Sequence, residues 1–313
     1  MRWTTKALIQ RVLAKVPLGG EVYYIGQRLA GSLHHFGVAH RVRQGTSLLE
    51  CLYQAGGDLR GQHAIEIGTG WAPILPLLYW LCGLADCHTY DVARLLRESL
   101  VIETAKQLVA LECLPSTFLE TPQYGGKKLY PERRKVLQEL VTRRSGAAEI
   151  LRHCGIFYHA PADAGTTGLP DQSVNLVFSN LVLEHVPEDE IDRLLGEAYR
   201  ILKPGGYMLH SIDLSDHFSH SDCSITGFNF LRFSAEEFAK YNSVFCFQNR
   251  LRAPAYRQAL LDHNFEIVRW EAEIVQSWMQ DLSHFPLHRD FAATSAEDIC
   301  TRSIHVAAMR PKH

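Results

Sequence analysis

The feature that most constrains the fold is a short apolar run that breaks into a glycine turn, at residues 64–73. The run suits a strand that is buried on both faces of a sheet. Gly68 and Gly70 allow a sharp turn and a close approach of the backbone to a ligand. Apolar residues then recur at helical spacing from Ile74. The stretch therefore predicts a strand, a glycine turn and a helix, which together form a cradle for a nucleotide-type ligand.

The turn by itself allows two interpretations, chain geometry alone or ligand binding. A dinucleotide-binding turn has a third glycine where this chain has Pro73, which argues against a nicotinamide-dependent oxidoreductase. The residues Glu66, Gly68, Gly70 and Ala72 instead resemble motif I of the class I S-adenosylmethionine-dependent methyltransferases. In that family the loop passes under the methionine portion of the cofactor, so the resemblance implies S-adenosylmethionine as the cofactor.

Two further stretches carry the same resemblance. Residues 171–186 read DQSVNLVFSNLVLEHV, and residues 202–213 read LKPGGYMLHSID. The first departs from the family pattern in having Asn175 where an aspartate is usual. Together with motif I, these stretches cover about residues 60–215 and are similar to the type 11 methyltransferases.

Asp91 follows the second predicted strand, about twenty residues beyond the glycine turn. A carboxylate at that position can accept hydrogen bonds from both ribose hydroxyls of a nucleoside. The alternative is an aspartate that caps a helix. The resemblance also implies that Asp163, at the end of the third strand, approaches the adenine amino group. The predicted cofactor-binding residues are Glu66, Gly68, Thr69, Gly70, Asp91, Asp163 and Asn180.

The resemblance implies an α/β fold, a Rossmann-like seven-stranded methyltransferase sheet with helices on both faces that ends in an antiparallel hairpin. Residues 1–60 show helical patterning and are predicted to form an N-terminal cap, followed by the methyltransferase domain over residues 61–313. The segment before the third strand is longer than one crossover helix requires, which predicts a lid-like insertion at about 112–150.

The first predicted helix has an apolar face that includes Leu8, Val12, Leu13 and Val16, together with several basic residues. Such a helix fits a cap with one solvated face, which is the favoured interpretation, or contact with a membrane surface.

Composition narrows the function classes. The chain has 313 residues, 46% of them hydrophobic, and a formal net charge of -2, so it offers no global basic field for nucleic acid. No apolar run approaches the roughly 18 residues of a spanning helix, and the first residues lack the apolar core of a signal peptide. Eight cysteines are scattered without a C-x-x-C pair, which predicts reduced, mostly buried thiols in a cytosolic protein.

Histidines and acids cluster after the strand predicted at residues 207–212. Three interpretations stay open: a divalent-metal site, a metal-free substrate pocket with a histidine or aspartate base, and polar loop residues that cap helices. The sequence assigns no metal ligand, because the spacing is not specific without geometry. The cluster comprises His210, Asp213, Asp216, His217, His220 and Asp222.

The predicted activity is transfer of a methyl group to an oxygen or nitrogen of a small or sugar-like metabolite. A histidine that titrates near neutrality is the expected proton acceptor, which makes His185 and His217 the candidates, with Asp213 as orienter or second acceptor. The alternatives are a metal-assisted O-methyltransferase and a non-catalytic binding subunit that keeps the fold. The expected partner is a small-molecule acceptor, nucleic acid is disfavoured, and the oligomeric state stays open with a homodimer as one option.

Overall fold

The computed structural model describes residues 1–29, 37–111 and 129–312. Its centre is a seven-stranded sheet. The strands are β1 (His63–Ile67), β2 (Asp86–Tyr90), β3 (Ile156–His159), β4 (Val174–Asn180), β5 (Leu202–Asp213), β6 (Glu266–Ile274) and β7 (Thr301–Met309).

The sheet runs in the order β3, β2, β1, β4, β5, β7, β6. The first five strands pair in parallel, and β7 lies antiparallel to both β5 and β6. The predicted seven strands and the closing antiparallel hairpin are therefore confirmed. The order reverses between β1 and β4, and open α/β sheets bind ligands at the carboxyl ends of strands at such a switch point.

Helices connect and flank these strands. They are α1 (Trp3–Leu13), α2 (Gly19–Leu29), α3 (Val38–Gln54), α4 (Ile74–Leu81), α5 (Glu98–Val109), α6 (Pro131–Thr142), α7 (Ala147–His153), α8 (Glu188–Ile201), α9 (Ala235–Ala239), α10 (Ala253–Asp262), α11 (Gln276–Leu282) and α12 (Ala296–Ile299). Short 3₁₀ turns lie at Leu183–His185, Asn229–Arg232 and Arg289–Phe291.

Apolar cores lie on both faces of the sheet, as the predicted fold class requires. On one face α3 and α4 bury leucines such as Leu48 and Leu77 against the strands. On the other face α8 buries Ile191, Leu194 and Leu195, while three acidic residues occupy its first turn, where they complement the helix dipole. A third apolar cluster joins the 3₁₀ turn at Asn229–Arg232 to the residues just before β7.

Strand β5 begins earlier than the sequence predicts. The Lys203 to Gly206 stretch was expected to be a turn before a strand from Tyr207, but it already belongs to β5. The reason is pairing with the end of β7, since Gly205 N–H donates to Arg310 O at 2.8 Å and Arg310 N–H donates to Gly206 O at 2.9 Å. Gly205 accommodates this pairing at a φ of +79°.

The N-terminal segment is not uniform. Helix α3 is part of the central core, where Val42, Leu48 and Leu49 are buried, whereas α1 turns Leu8 and Val12 outward. The described part of the predicted insertion also packs into the core through Leu137 on α6. Residues 112–128 of that insertion lie outside the described residues, and the lid and the cap boundaries stay predictions.

Helices long and apolar enough to cross a lipid bilayer do not occur in the described part of the chain.

Candidate functional site

The glycine loop follows β1 at the switch point of the sheet. Gly68 and Gly70 adopt φ values of +76° and +68°, a region that suits glycine. Gly68 also has no room for a side chain, because an added Cβ would lie 2.6 Å from Val182 Cγ2. Val182 comes from the chain just beyond β4, so the glycine allows the β1 loop and the β4 exit to approach closely.

Asp91, just after β2, reaches across to this loop. Its Oδ2 accepts a hydrogen bond from Gly70 N–H at 3.0 Å. Burial raises the pKa of Asp91 to about 7, although the Gly70 N–H bond acts in the opposite direction. The sequence predicts that Gly70 and Asp91 bind the same cofactor, and the structure places the two residues in direct contact.

Glu66 lies inside the sheet below the loop. Thr89 Oγ1 donates to Glu66 Oε2 at 2.8 Å, and burial raises the pKa of Glu66 to about 8. Thr69, the middle residue of the loop, is buried as well. Glu66 therefore joins β1 to β2 just before the loop, and Thr69 packs the loop against the protein interior.

Asn180 ends β4 beside the loop. Its Nδ2 donates to Gln44 Oε1 of α3 at 3.1 Å. Asn180 Oδ1 and Thr69 Oγ1 are both buried, and neither has a hydrogen-bond partner among the described residues. Buried polar atoms without partners are uncommon in proteins. With the open space beside Gly70, they fit a polar ligand such as S-adenosylmethionine at this loop.

Asp163 is partly exposed, unlike the buried Glu66, Thr69 and Asp91. It forms an ion pair with Arg193 at 2.8 Å and accepts Gly165 N–H at 2.7 Å. The adjacent Ala162 N–H donates to Asp91 O at 2.8 Å, which ties this turn to the end of β2. Asp163 therefore lies next to the predicted ribose site, on its outer side.

The predicted histidine and acid cluster divides into three groups. His210 is a buried residue of β5, and its Nδ1 lies 2.7 Å from Oγ of Ser179 on β4. Burial lowers the pKa of His210 to about 4. Asp216 and Asp222 accept loop and terminal N–H groups, including Trp3 N–H at 2.8 Å from Asp222 Oδ2. Only the third group, which contains Asp213, His217 and His220, stays together within the described residues.

Asp213 and His217 form an ion pair, with His217 Nε2 3.5 Å from Asp213 Oδ2. Burial alone would raise the pKa of Asp213, but its bonds with His217 and Ser215 outweigh burial and lower it to about 2. Burial alone would lower the pKa of His217, but the carboxylates of Asp213 and Glu184 outweigh burial and raise it. The pair therefore favours an aspartate anion beside an imidazolium.

His185 reaches the same group from the turn after β4, with its ring centroid 4.8 Å from that of His217. Its Nδ1 lies 2.6 Å from Phe247 O, and since a carbonyl only accepts, Nδ1 carries the proton. His185 is an exposed residue, but desolvation of its ring and the neighbouring His217 lower its pKa to about 4. His185 is therefore neutral at pH 7, with a lone pair on Nε2, and its pKa lies below the near-neutral value expected from the sequence for the proton acceptor.

Glu184 lies beside these histidines and was not predicted. The residue is 1% exposed, and neither carboxylate oxygen has a hydrogen-bond partner among the described residues. Burial raises its pKa to about 8. One ligand atom each from Glu184, His185 and His217 lie within 4.8 Å of one another.

Asn249 holds this turn in place. Its side-chain Nδ2 donates to Leu183 O at 2.8 Å and Val186 O at 2.9 Å, and its N–H donates to Glu184 O at 2.8 Å. Leu181, at a φ of +58°, turns the chain into this segment, a conformation that costs roughly 1–2 kcal/mol for an ordinary residue.

Sequence reasoning missed four contributors to the site, which are Glu184, Asn249, Gln44 and Arg41. Arg41 Nη1 donates at 3.2 Å to Gln44 Oε1, the same oxygen that accepts from Asn180. Glu184 stood next to the predicted His185 and could have been found as an acid paired with a histidine. Arg41 and Gln44 lie on α3, and Asn249 lies beyond α9, so no local motif marks them.

A family model described as a methyltransferase domain matches residues 132–210. A comparison with curated protein sequences finds no match. Solved structures similar to the chain include a geranyl diphosphate C-methyltransferase from Streptomyces coelicolor A3(2), with 12% identity, coverage of 85% of this chain and 78% of that one, and a TM-score of 0.48.

Two other similar structures are an S-adenosylmethionine-dependent methyltransferase from Mesorhizobium loti and phosphoethanolamine N-methyltransferase 2 from Haemonchus contortus. The first has 16% identity, coverage of 83% of this chain and 95% of that one, and a TM-score of 0.41. The second has 16% identity, coverage of 85% and 52%, and a TM-score of 0.43.

The seven-stranded sheet, the antiparallel hairpin and the glycine loop are those that the sequence resemblance predicts for a class I methyltransferase. Residues 132–210 match a family model that describes a methyltransferase domain, and the fold and the glycine loop are consistent with an S-adenosylmethionine-dependent methyltransferase of class I.

Proposed function

We propose that this methyltransferase acts on an oxygen or nitrogen of a small polar or sugar-like metabolite. The observation that carries the proposal is the neutral His185 ring, whose Nε2 is free to take a proton, next to the buried Glu184 carboxylate. Both lie on the turn after β4, whose Val182 approaches Gly68 of the glycine loop. The net charge of -2 supports a small acceptor rather than nucleic acid.

On the cofactor side, the proposed roles follow from position. The Asp91 carboxylate would accept the ribose hydroxyls, and Gly68, Thr69 and Gly70 would form the loop under the methionine portion. Glu66 lies two residues before Gly68, where its bond with Thr89 joins β1 to β2. Asp163 is proposed at the adenine and Asn180 at the polar end of the cofactor.

When bound, S-adenosylmethionine supplies a sulfonium methyl group that is already reactive, so the protein mainly orients and desolvates. In the proposed step the acceptor atom bonds to the methyl carbon as the carbon–sulfur bond breaks. The acceptor's proton passes to His185 Nε2. The Asp213 and His217 ion pair borders the acceptor and orients it, and the fixed Nδ1 bond to Phe247 O holds the His185 ring.

Calorimetric titration with S-adenosylhomocysteine and, separately, NADH tests the cofactor side, with Asp91→Ala as the variant. We expect micromolar binding of S-adenosylhomocysteine alone, weakened in the variant. A panel of small hydroxyl and amine acceptors, scored by S-adenosylhomocysteine release, then tests the acceptor. Binding without turnover on any acceptor would favour a non-catalytic subunit.

A divalent-metal-assisted O-methyltransferase is a second candidate. Its support is the approach of Glu184, His185 and His217, whose donor atoms lie within 4.8 Å of one another. A carboxylate and two imidazoles suit a transition metal that could bind and acidify an acceptor hydroxyl. If EDTA abolishes turnover and an added divalent ion restores it, this candidate is favoured. Turnover that EDTA does not change would reject it.

We also propose that the protein works in the cytosol, and that residues 1–60 act as a cap on the methyltransferase domain at residues 61–313. The stacking of Tyr24 on Trp71 of the glycine loop, with ring centroids 4.3 Å apart, supports a cap role for α2. A homodimer stays one option for the assembly.

A further inference from the structure

Helix α1 presents its apolar residues to the outside. Ala7 and Gln10 are 1% and 2% exposed, whereas Leu8 and Val12 are 60% and 53% exposed. A cap helix with a solvated outer face shows the opposite arrangement. The outward face of α1 is therefore built for an apolar surrounding.

The exposed apolar surface continues into the next helix. Leu18, in the turn between α1 and α2, is 77% exposed, and Val22 and Ile25 on α2 are 51% and 52% exposed. Residues 1–25 contribute eight of the fifteen exposed large hydrophobic side chains in the described part of the chain. Such a concentration marks an interaction surface rather than scattered exposure. We call residues 1–26 the N-terminal hairpin.

The charge of this segment is one-sided. Residues 1–26 contain four lysines or arginines and one acidic residue, Glu21, while the whole chain is balanced at 32 basic and 34 acidic residues. Glu21 is itself paired with Arg97 outside the segment, at 2.7 Å. Arg11 and Lys15 are exposed on the border of the apolar face of α1. The hairpin thus combines apolar side chains with positive charge.

The inner side of the hairpin is firmly attached. Trp3 packs against Phe218 and Tyr241, with ring centroids 5.6 and 4.7 Å away. Gln10 Nε2 donates to Tyr23 Oη at 3.0 Å, which joins α1 to α2. The hairpin is therefore packed on the folded domain through its inner side, while its apolar outer face stays exposed.

We propose that the N-terminal hairpin docks this enzyme onto an anionic lipid surface. Apolar side chains would enter the headgroup region while lysines and arginines meet lipid phosphates, as in interfacial amphipathic helices. The positive charge selects a lipid surface over a second copy of this chain, since two copies would bring like charges together. The inference does not depend on the identity of the methyl acceptor.

Docking would also place the cofactor site near the bilayer. Tyr24 of α2 stacks on Trp71 of the glycine loop, and the Arg97 guanidinium lies 4.8 Å above the Tyr24 ring. The hairpin therefore lies directly on the loop that is proposed to hold the cofactor.

The test is co-sedimentation of the full-length protein with vesicles of phosphatidylcholine alone and of phosphatidylcholine mixed with phosphatidylglycerol. One variant combines Leu8→Glu with Val12→Glu, and a second combines Arg11→Glu with Lys15→Glu. The matched control is Leu261→Glu, an equally drastic change on the exposed side of α10. Thermal unfolding and S-adenosylhomocysteine binding report whether each variant stays folded.

We expect binding to the anionic vesicles that weakens with salt. Each basic residue near an anionic surface strengthens binding about fivefold, so the double charge reversal should weaken it about 30-fold or more. The apolar variant should lose binding and Leu261→Glu should keep it.

Three outcomes would overturn the proposal. They are no vesicle binding by the wild type, equal binding to neutral and anionic vesicles, and a wild-type dimer that ignores vesicles and dissociates in the Leu8→Glu, Val12→Glu variant. The last would assign the hairpin to a second copy of the chain.

Discussion

The cofactor side and the acceptor side of this site are built in different ways. The cofactor side is centred on backbone conformation in residues 66–91, where Gly68 and Gly70 turn the chain and Asp91 receives a backbone N–H. Asp163, after β3, and Asn180, at the end of β4, join it. The acceptor side depends on side chains from separate segments, such as Glu184 after β4 and His217 after β5. Changes on the acceptor side should therefore alter turnover, whereas changes on the cofactor side should alter affinity.

The largest expected effect is on the acceptor side. His185→Ala removes the proposed proton acceptor and should lower kcat about 10²–10⁴-fold, because general-base catalysis contributes that much. Affinity for S-adenosylhomocysteine should stay unchanged. The measurement is steady-state kinetics with an acceptor from the panel, together with calorimetry.

His263→Ala is the matched control for this variant. His263 lies outside the site, and its Nε2 is 2.8 Å from Asp192 Oδ1. It should leave kcat unchanged. If His185→Ala lost affinity and kept kcat, the proposed separation between the two sides would fail.

The next effect is on the cofactor side. Asp91→Ala removes two hydrogen bonds between a carboxylate and the ribose, and such bonds contribute about 1.5–3 kcal/mol each, so affinity for S-adenosylhomocysteine should fall by at least about 100-fold. Calorimetry measures the change. Asp171→Ala removes a surface carboxylate paired with Arg200 and serves as the control, with affinity expected to match wild type. Equal affinity in both variants would place the ribose elsewhere.

The same difference explains what the sequence could predict. Strand, glycine turn and helix are local patterns, since periodicity and glycine chemistry act over about ten residues. The seven-stranded sheet and its closing hairpin are not local patterns; the family resemblance predicts them, and they are confirmed. The acceptor side required tertiary structure, because Arg41 interacts electrostatically with Glu184 and Asn249 bonds the same turn, both from segments distant in sequence.

Two further departures have the same origin. The early start of β5 at Leu202 depends on pairing with Arg310, about a hundred residues away in sequence, which a local pattern does not contain. The apolar residues of α1 have the spacing of a helix that packs on a protein core, yet they face outward. Spacing alone does not distinguish a protein core from another apolar environment. His210 likewise belonged to the predicted cluster by spacing but turns under the sheet toward Ser179.

The glycine loop allows a smaller, structural test. Alanine at Gly68 or Gly70 forces an ordinary residue into the left-handed region, which costs roughly 1–2 kcal/mol of unfolding free energy at either position. Gly68→Ala should cost about 1–3 kcal/mol more, because its Cβ meets Val182 whereas Gly70 faces open space. Urea unfolding measures both variants.

Val182→Ala combined with Gly68→Ala should recover most of that extra cost, with Val182→Ala alone as the reference. Equal destabilisation of Gly68→Ala and Gly70→Ala would show that the close approach of the β1 loop and the β4 exit does not constrain the loop.

The smallest expected effect is a pH dependence confined to the cofactor side. Burial raises the pKa of Asp91 to about 7, so its carboxyl is ionised above that pH and protonated below it. The ionised form accepts both ribose hydroxyls, and binding therefore draws the equilibrium toward it. Affinity for S-adenosylhomocysteine should be constant above about pH 8 and should fall as the pH is lowered through 7, by at most about tenfold per pH unit.

Asp91→Asn cannot titrate, and its weaker affinity should be the same at pH 6 and pH 8, about one unit on either side of the wild-type transition. Any titration of the ligand itself would appear in both proteins and is thereby separated from that of Asp91. A pH dependence that survived in Asp91→Asn would point to Glu66, whose pKa burial raises to about 8 and which lies beneath the same loop. The cofactor side would then respond to pH through the support of the loop rather than through the ribose contact.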